Sequence, residues 1–270
     1  MNRREFLQFL AAGYATGILR PSFASNYVNY NFKSFGNLRL IHFTDTHAQL
    51  DPMYFREPNY NLGVGVNRNK PPHIVGKKLL DYYSINTPLL KHAFTYIDFN
   101  RYAQEFGKFG GYAYLKTVID TLKNQAKGNA LLLDGGDTWQ GSGLSLLENG
   151  KDMVEASNIL GVDIMTGHWE FTLGEKLFLD NIKNFKGDFV AQNIKLTEEA
   201  IFDGMEPIDD KNHFQKPYVV KIINGIRVAV IGQAFPYTPI ANPRRFIPNL
   251  TFGIRDMELQ TLINKIKEKE

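Results

Sequence analysis

Short apolar runs alternate with longer amphipathic segments along the chain from about residue 38. The apolar runs have the length of buried strands, and the segments between them repeat apolar side chains at helical spacing. This alternation predicts an α/β fold with a parallel sheet. The predicted strands are 38–43, 130–134, 163–166 and 188–192, and the predicted helices are 111–127, 153–160 and 174–184.

The last fifth of the sequence predicts a hairpin followed by a helix. Two apolar runs, Val219–Ile223 and Ile226–Ile231, are joined by Asn224-Gly225, a pair that accepts the positive φ angles of a type I′ turn. Residues 256–270 are amphipathic and predict a helix. The apolar face of this helix consists of Met257, Leu259, Leu262, Ile263 and Ile266.

Residues 51–108 interrupt the alternation of strands and helices. The segment is rich in Pro, Asn, Tyr and Lys, and it follows directly after the first candidate site residues. Long connections at such a position commonly form a lid or a partner surface. We therefore interpret 51–108 as an insertion of that kind, with a simple surface elaboration as the alternative.

The N-terminus carries a twin-arginine pattern. Arg3 and Arg4 precede an apolar run over 9–19, and small residues at 22–24 suit a cleavage site. This predicts a signal peptide over 1–24 and a periplasmic protein. A cytosolic amphipathic helix is the alternative, since the apolar run is too short to span a membrane.

Composition limits the possible chemistry. The formal net charge is +3 and falls to +1 without residues 1–24, so the sequence gives no reason to expect nucleic acid as a partner. The chain has no cysteine, which excludes disulfides and thiolate chemistry. A bound metal would therefore need oxygen and nitrogen ligands. We expect no stable membrane association after export, because no later segment is long and apolar enough to span a bilayer.

Three predicted strands end in residues that can bind metals. Asp45 and His47 follow the first strand, Asp137 follows the second and His168 the third. We expect strand alternation to point Asp45 and His47 to the same side. This mixture of carboxylate and imidazole suits Mn²⁺, Fe or Zn²⁺. Asp134, at the end of the second strand, is expected to bond the backbone or a ligand histidine.

The order of these motifs carries a family resemblance. Asp-Thr-His at 45–47, Gly-Asp at 136–137 and Gly-His-Trp-Glu at 167–170 resemble the motif series of calcineurin-like metallophosphoesterases, in the branch that contains secreted 5′-nucleotidases. That branch has Gly-Asn-His-Glu at the third position. Gly-His-Trp-Glu, with the segments 136–143 and 232–243, is similar to the SoxB-type thiosulfohydrolases of the sulfur-oxidation system. The resemblance extends from about residue 37 to the end of the sequence.

The resemblance implies a fold and a metal centre. The fold would be the four-layer αββα sandwich of metallophosphoesterases, and the cofactors would be two divalent ions, with Mn²⁺ expected. Asp45 and His47 would bind one ion, Asp137 would bridge, and His168 would take the Asn position on the second ion. Two such ions lower the pKa of a shared water and bracket an oxyanion substrate. The catalytic segment would comprise His168, Trp169 and Glu170.

Trp169 is the informative departure from the nucleotidases. Those enzymes have a histidine there, which helps to stabilise the transferring group, and an aspartate three residues later that orients it; this chain has Trp169 and Thr172. A poor alkoxide leaving group would miss that histidine, whereas a thiol or persulfide, with a pKa of about 8.5 or below, leaves without an acid. The pair therefore favours a sulfur-linked sulfonate. Packing of Trp169 beneath the site is the alternative explanation.

The resemblance also predicts the substrate and its carrier. The parent enzyme would release sulfate from a cysteine S-sulfonate on a sulfur-carrier protein. The alternatives are a 5′-nucleotidase or related phosphoesterase, and a non-catalytic metal-binding fragment. Family members continue with another strand, further histidine ligands and a second domain, so we expect 25–270 to be the N-terminal part of the metallophosphoesterase domain and to be inactive alone.

The remaining basic residues are weaker candidates. His42 is expected to lie in the core, since it faces away from Asp45, and three further histidines fall outside the motifs. Arg244 and Arg245 follow the 232–243 segment and would suit an anionic substrate, although an exposed basic pair is more often solvated surface. The three histidines outside the motifs are His73, His92 and His213.

Overall fold

Four parallel strands form the main sheet and bring the candidate site residues to one edge. Their order in the sheet follows their order in the sequence. Phe43 lies opposite Asp134 in the register, and Asp134 lies opposite Met165, so the strands end side by side. The strands are β1 (Arg39–Phe43), β2 (Ala130–Asp134), β3 (Ile164–Met165) and β4 (Asp188–Phe189).

The computed structural model describes residues 36–54, 57 and 60–269. The predicted signal peptide, 1–24, lies outside the described residues. Within them, no helix is both long and apolar enough to cross a membrane.

The helices beside the sheet match the predicted positions within two residues. In α6, apolar positions meet the sheet, and the helix ends at Gly161, whose φ of 74° suits a C-cap. The predicted closing helix is also present. These helices are α4 (Tyr112–Gln125), α6 (Lys151–Leu160), α7 (Glu175–Asn184) and α10 (Asp256–Lys269).

Aromatic side chains fill the core between the sheet and its helices. Trp139 is fully buried, and its ring centroid lies 5.7 Å from that of Phe185 and 6.4 Å from that of Phe178. Phe189 from β4 closes this cluster, 5.1 Å from Phe178 in an edge-on arrangement. Because Trp139 follows Asp137 by two residues, the core anchors the loop that carries this predicted metal ligand.

The described part of the insertion is helical rather than irregular. Its ends are paired, since Met53 and Phe109 exchange backbone hydrogen bonds of 2.9 and 2.8 Å. His92 is fully buried at its centre, within 6.1 Å of the ring centroids of four aromatic residues. This apolar cluster explains why the segment holds a fold of its own. Its helices are α1 (Gly76–Tyr82), α2 (Pro88–Phe94) and α3 (Phe99–Phe106).

Two antiparallel pairs complete the described fold. The predicted hairpin is confirmed as β6 (Tyr218–Ile223) and β7 (Ile226–Ile231), and φ is 51° at Asn224 and 75° at Gly225. The pair β5 (Lys195–Leu196) and β8 (Leu250–Thr251) lacks a sequence signal, because each strand has only two residues. The short helices α5 (Gly143–Glu148), α8 (Glu198–Phe202) and α9 (Thr238–Ala241) were also not predicted.

Two details of the sheet differ from expectation. β4 is shorter than the predicted 188–192, because the backbone of Ala191 and Gln192 turns away from β3 to bond Lys216 and Gly232. His42 is exposed rather than in the core. It lies on β1, an edge strand of the described sheet, where only Ile41 is buried.

Candidate metal centre

The loops after β1 and β2 have a strained backbone where they carry metal-binding side chains. The φ angles are 55° at Asp45, 50° at His47 and 57° at Asp137, in a region that residues other than glycine rarely occupy. Strand alternation therefore does not orient Asp45 and His47, since β1 ends at Phe43, although the two side chains do come together, with Nε2 of His47 4.0 Å from Oδ1 of Asp45. The two loops hold each other instead. The amide of Asp45 donates to Gly136 O, and that of His47 donates to Asp137 O, both at 2.9 Å.

Two glycines permit this close approach of the loops. A Cβ atom on Gly141 would lie 2.7 Å from the carbonyl oxygen of His47, and Gly141 has a φ of 124°. A Cβ atom on Gly136 would lie 2.8 Å from the amide nitrogen of His168. Any larger residue at either position would therefore push the site loops apart.

Asp137 lies at the centre of the predicted ligands. Its Oδ2 is 3.1 Å from Nδ1 of His168 and 3.7 Å from Nε2 of His47. The ligand atoms of Asp45, Asp137 and His168 all lie within 4.8 Å of one another. His47 stands beside this group, with Nε2 4.0 Å from Oδ1 of Asp45. The structure thus brings all four predicted metal ligands together.

The donor set fits a divalent cation. The side chain of Asp137 is only 5 % exposed, and its described partners are the two imidazoles and the amide of Gln140, none of which carries a fixed positive charge. A buried carboxylate in such surroundings needs a compensating charge. Asp45 and His47 are more than half exposed, so one side of the group is open. Oxygen and imidazole donors in this arrangement suit Mn²⁺, Fe or Zn²⁺.

Glu170 connects the loops after β2 and β3. It is fully buried, and its Oε1 accepts hydrogen bonds from the amides of Thr138 (2.7 Å) and Trp139 (3.3 Å). Its Oε2 accepts a bond of 2.7 Å from the amide of His168. One carboxylate thus fixes the backbone beside Asp137 and at His168. These contacts give Glu170 a positioning role, while its predicted catalytic role stays a prediction.

A second buried network supports the loops from below. Oδ1 of Asp134 accepts hydrogen bonds from the amide of Gly136 and the hydroxyl of Thr138, each 2.9 Å long. The bond from Gly136 is the expected contact with the backbone. Oδ2 of Asp134 has no hydrogen-bond partner among the described residues, and burial raises the pKa of this carboxyl to about 7. The hydroxyls of Thr46 and Tyr112 lie 2.8 Å apart. Thr46 separates Asp45 from His47, so this bond ties the first metal loop to helix α4.

Aromatic rings flank His168 on the open side. Trp169 is half-buried and lies beside the imidazole, with ring centroids 6.3 Å apart. Thr172 donates its hydroxyl to the carbonyl of Trp169 at 2.8 Å, so it does not orient a catalytic group. Phe235 packs closer, at 4.4 Å from the imidazole centroid. The resemblance of 232–243 marks the segment that contains Phe235, but no pattern singles out this residue or Gln140.

The other basic candidates make contacts of their own. Arg244 donates to Leu250 O at 3.0 Å, and the guanidinium of Arg245 lies over the ring of Phe246. His213 is buried and lies 2.6 Å from Asp209, in the polar segment before β6. These contacts give no support to an anion-binding role for the arginine pair.

Comparison with known proteins confirms the predicted resemblance. The structure is similar to that of the sulfate thiohydrolase SoxB from Thermus thermophilus, with a TM-score of 0.73 and 33% identity, over 89% of this chain and 43% of that one. The calcineurin-like phosphoesterase YfkN from Bacillus subtilis shares the fold, with a TM-score of 0.52 and 20% identity, over 86% of this chain and 58% of that one. The predicted α/β fold with a parallel sheet is therefore confirmed.

Curated sequences point to the same group of proteins. The 5′-nucleotidase of Rattus norvegicus is 30% identical over 162 residues, which are 58% of this chain and 26% of the enzyme. The chain therefore spans about a quarter of that relative and less than half of the SoxB chain. No protein-family model matches the sequence.

Proposed function

We propose that this chain contributes a metal half-site to a periplasmic hydrolase that releases sulfate from a cysteine S-sulfonate on a sulfur-carrier protein. The observation that carries the proposal is the sequence Gly-His-Trp-Glu at 167–170, within a fold that is similar to SoxB. Trp169 stands where the nucleotidases have a histidine, and Thr172 bonds the backbone instead of orienting a side chain.

The metal ions would be held by the four clustered residues. Asp45 and His47 would bind one ion and His168 the other, with Asp137 between them; Mn²⁺ is the proposed metal. When bound, a pair of divalent ions supplies Lewis acidity and an activated water. The chain itself orients the metal ligands. Glu170 fixes the backbone at His168, and the hydrogen bond between Tyr112 and Thr46 fixes the loop that carries Asp45 and His47.

The proposed reaction needs no general acid from the Trp169 position. Water adds its oxygen to the sulfonate sulfur and releases its two protons to solvent, the sulfur–sulfur bond breaks, and the bonding pair stays on the carrier's sulfur, so the products are sulfate and a thiolate. A thiol leaving group has a pKa of about 8.5, so the thiolate departs without protonation. Trp169 offers an apolar surface beside His168, which would exclude water from the leaving-group side.

A phosphoesterase is the second candidate. The curated relatives with printed activities are 5′-nucleotidases at 28 to 30% identity. The two functions differ at the leaving group, since an alkoxide benefits from an acid at position 169 and a thiolate does not. A non-catalytic metal-binding role remains the third candidate and predicts bound metal without turnover.

One comparison of substrates tests the proposal. A full-length form of the protein, loaded with Mn²⁺, is given a carrier peptide with a cysteine S-sulfonate, and in parallel adenosine monophosphate, and free sulfate and phosphate are measured. Sulfate release with little phosphate supports the proposal. Faster phosphate release would favour the nucleotidase, and metal binding without either product would favour the non-catalytic role.

A further inference from the structure

We propose that Phe235 is a positioning residue that sets the orientation of the His168 imidazole toward the metal centre. The inference rests on the metal site of the proposed function. It concerns how one ligand is held, and it is independent of which substrate the site hydrolyses.

The imidazole of His168 makes only one hydrogen bond to the described residues. In a ligand histidine, the N–H group of the second ring nitrogen commonly donates a hydrogen bond to a carboxylate or a carbonyl, which fixes the tautomer and the ring plane. Nδ1 of His168 faces Asp137 at 3.1 Å, whereas Nε2 receives no hydrogen bond from any part of the chain that the structure describes. Because Asp137 is itself a predicted metal ligand, this single hydrogen bond does not by itself fix the plane of the ring.

Phe235 lies against the ring in a suitable geometry. The two centroids are 4.4 Å apart with an interplanar angle of 39°, which is closer than the 6.3 Å between His168 and Trp169. Aromatic rings at this distance attract each other beyond simple burial. An asparagine at position 168 would not present a ring for such packing.

The backbone of Phe235 is itself held firmly. Its amide donates to the carbonyl of Gly167 at 3.0 Å, and the hydroxyl of Thr238 donates to its carbonyl at 2.7 Å. The side chain of the fully buried Asn193 bonds both the amide and the carbonyl of Ala234, each at 2.8 Å. These hydrogen bonds fix the backbone that carries the Phe235 ring, and one of them links it to Gly167, the residue before His168.

The test measures metal binding and the state of the imidazole separately from turnover. Mn²⁺ affinity is measured by calorimetry in the wild type, Phe235→Ala, Phe235→Leu and Phe235→Tyr, with Tyr237→Ala as the matched control. Tyr237 is half exposed and touches the other side of Phe235, at 5.9 Å between centroids. In the metal-free protein, histidine ring nitrogens are followed by NMR, and the His168 signals are assigned from their loss in His168→Asn.

We expect Phe235→Ala and Phe235→Leu to weaken Mn²⁺ binding about tenfold or more, which is the range for residues that orient a ligand. The His168 signals should broaden or shift in both variants. Phe235→Tyr should keep wild-type affinity, because it keeps the aromatic face, and so should Tyr237→Ala. If Phe235→Ala fails to fold, as judged by circular dichroism, Phe235→Leu decides the question.

Unchanged Mn²⁺ affinity and unchanged His168 signals in Phe235→Leu would overturn the inference. Equal losses in Phe235→Tyr and Phe235→Leu would also overturn it, since they would reflect general packing. Neither result bears on the substrate comparison. Conversely, a failure to release sulfate would leave these binding measurements fully interpretable.

Discussion

Replacing Glu170 by glutamine should loosen both metal loops at once. The carboxylate accepts three backbone hydrogen bonds, two on Oε1 and one on Oε2. Glutamine has a single acceptor oxygen, so its NH₂ group must face either the amide of His168 or the amides of Thr138 and Trp139. One N–H group in the first orientation, or two in the second, then lacks an acceptor, and the NH₂ group points at another donor.

The expected cost is about 2–4 kcal/mol in the free energy of unfolding. A hydrogen bond to a charged group contributes about 1.5–3 kcal/mol, and a buried donor left without a partner costs about 1–3 kcal/mol. Their full sum is not reached, because a neutral amide costs less to bury than a carboxylate. At about 2–4 °C per kcal/mol for a domain of this size, Tm should fall by roughly 4–16 °C. Mn²⁺ affinity should fall about 10–100-fold, since the His168 backbone is released.

Glu175→Gln provides the matched control. Glu175 also accepts two hydrogen bonds, from the amide and the side chain of Asn249, at 2.8 and 2.9 Å. The Asn249 side chain can rotate to present its oxygen to the new NH₂ group, so this change should cost less than about 1 kcal/mol. Thermal unfolding and calorimetry on both variants compare the two sites. A Glu170→Gln protein with normal Tm and metal affinity but no turnover would refute the positioning role and favour direct catalysis.

Three further predictions use other parts of the structure, and the first two concern a full-length form of the protein. Asp137→Asn should lose both ions in elemental analysis, because a neutral amide cannot balance two divalent charges; two retained ions would exclude a bridging role. His168→Asn with Trp169→His and Thr172→Asp should raise phosphatase activity on adenosine monophosphate above a near-zero baseline, and no rise would count against the leaving-group argument. Burial raises the pKa of Asp188, but hydrogen bonds from Lys221 and Lys216 lower it by more, so the pKa lies below its ordinary value. Its stabilisation is therefore present above about pH 4 and lost as the pH falls through the lowered pKa, so Tm should fall less steeply with acid in Asp188→Asn; parallel curves would contradict this.

The sequence predicts best where a repeated pattern extends over many residues. Helix 174–184 and the hairpin around Asn224-Gly225 are found where their periodicity and turn residues place them. Elements of two residues, such as β5 and β8, have no period to detect, and they form only because two distant segments pair. The helices at 51–108 were missed because they have only seven or eight residues each, so their apolar patterns extend over about two turns.

In the candidate site too, the sequence predicts some features, and others depend on contacts between distant segments. The motifs predicted which residues gather, because the carboxyl ends of parallel strands must meet at one edge. Their orientation was not predictable, since Asp45, His47 and Asp137 adopt positive φ angles that depend on contacts between the two loops. Gln140 and Phe235 were missed as contacts of the site, because amide and phenyl side chains carry no motif of their own.

The replacement of asparagine by histidine at position 168 connects the fold to the proposed chemistry. An imidazole is larger than a carboxamide and must be held in plane, which Phe235 does at 4.4 Å from one side. Trp169 lies beside the same ring, at the position where the nucleotidases have the histidine that helps to stabilise the transferring group. This chain therefore has aromatic rings beside His168, those of Trp169 and Phe235, whereas the nucleotidases have a histidine and the aspartate that orients it. Such a site is suited to a leaving group that departs as a stable anion, and a thiolate with a pKa of about 8.5 meets that requirement far better than an alkoxide.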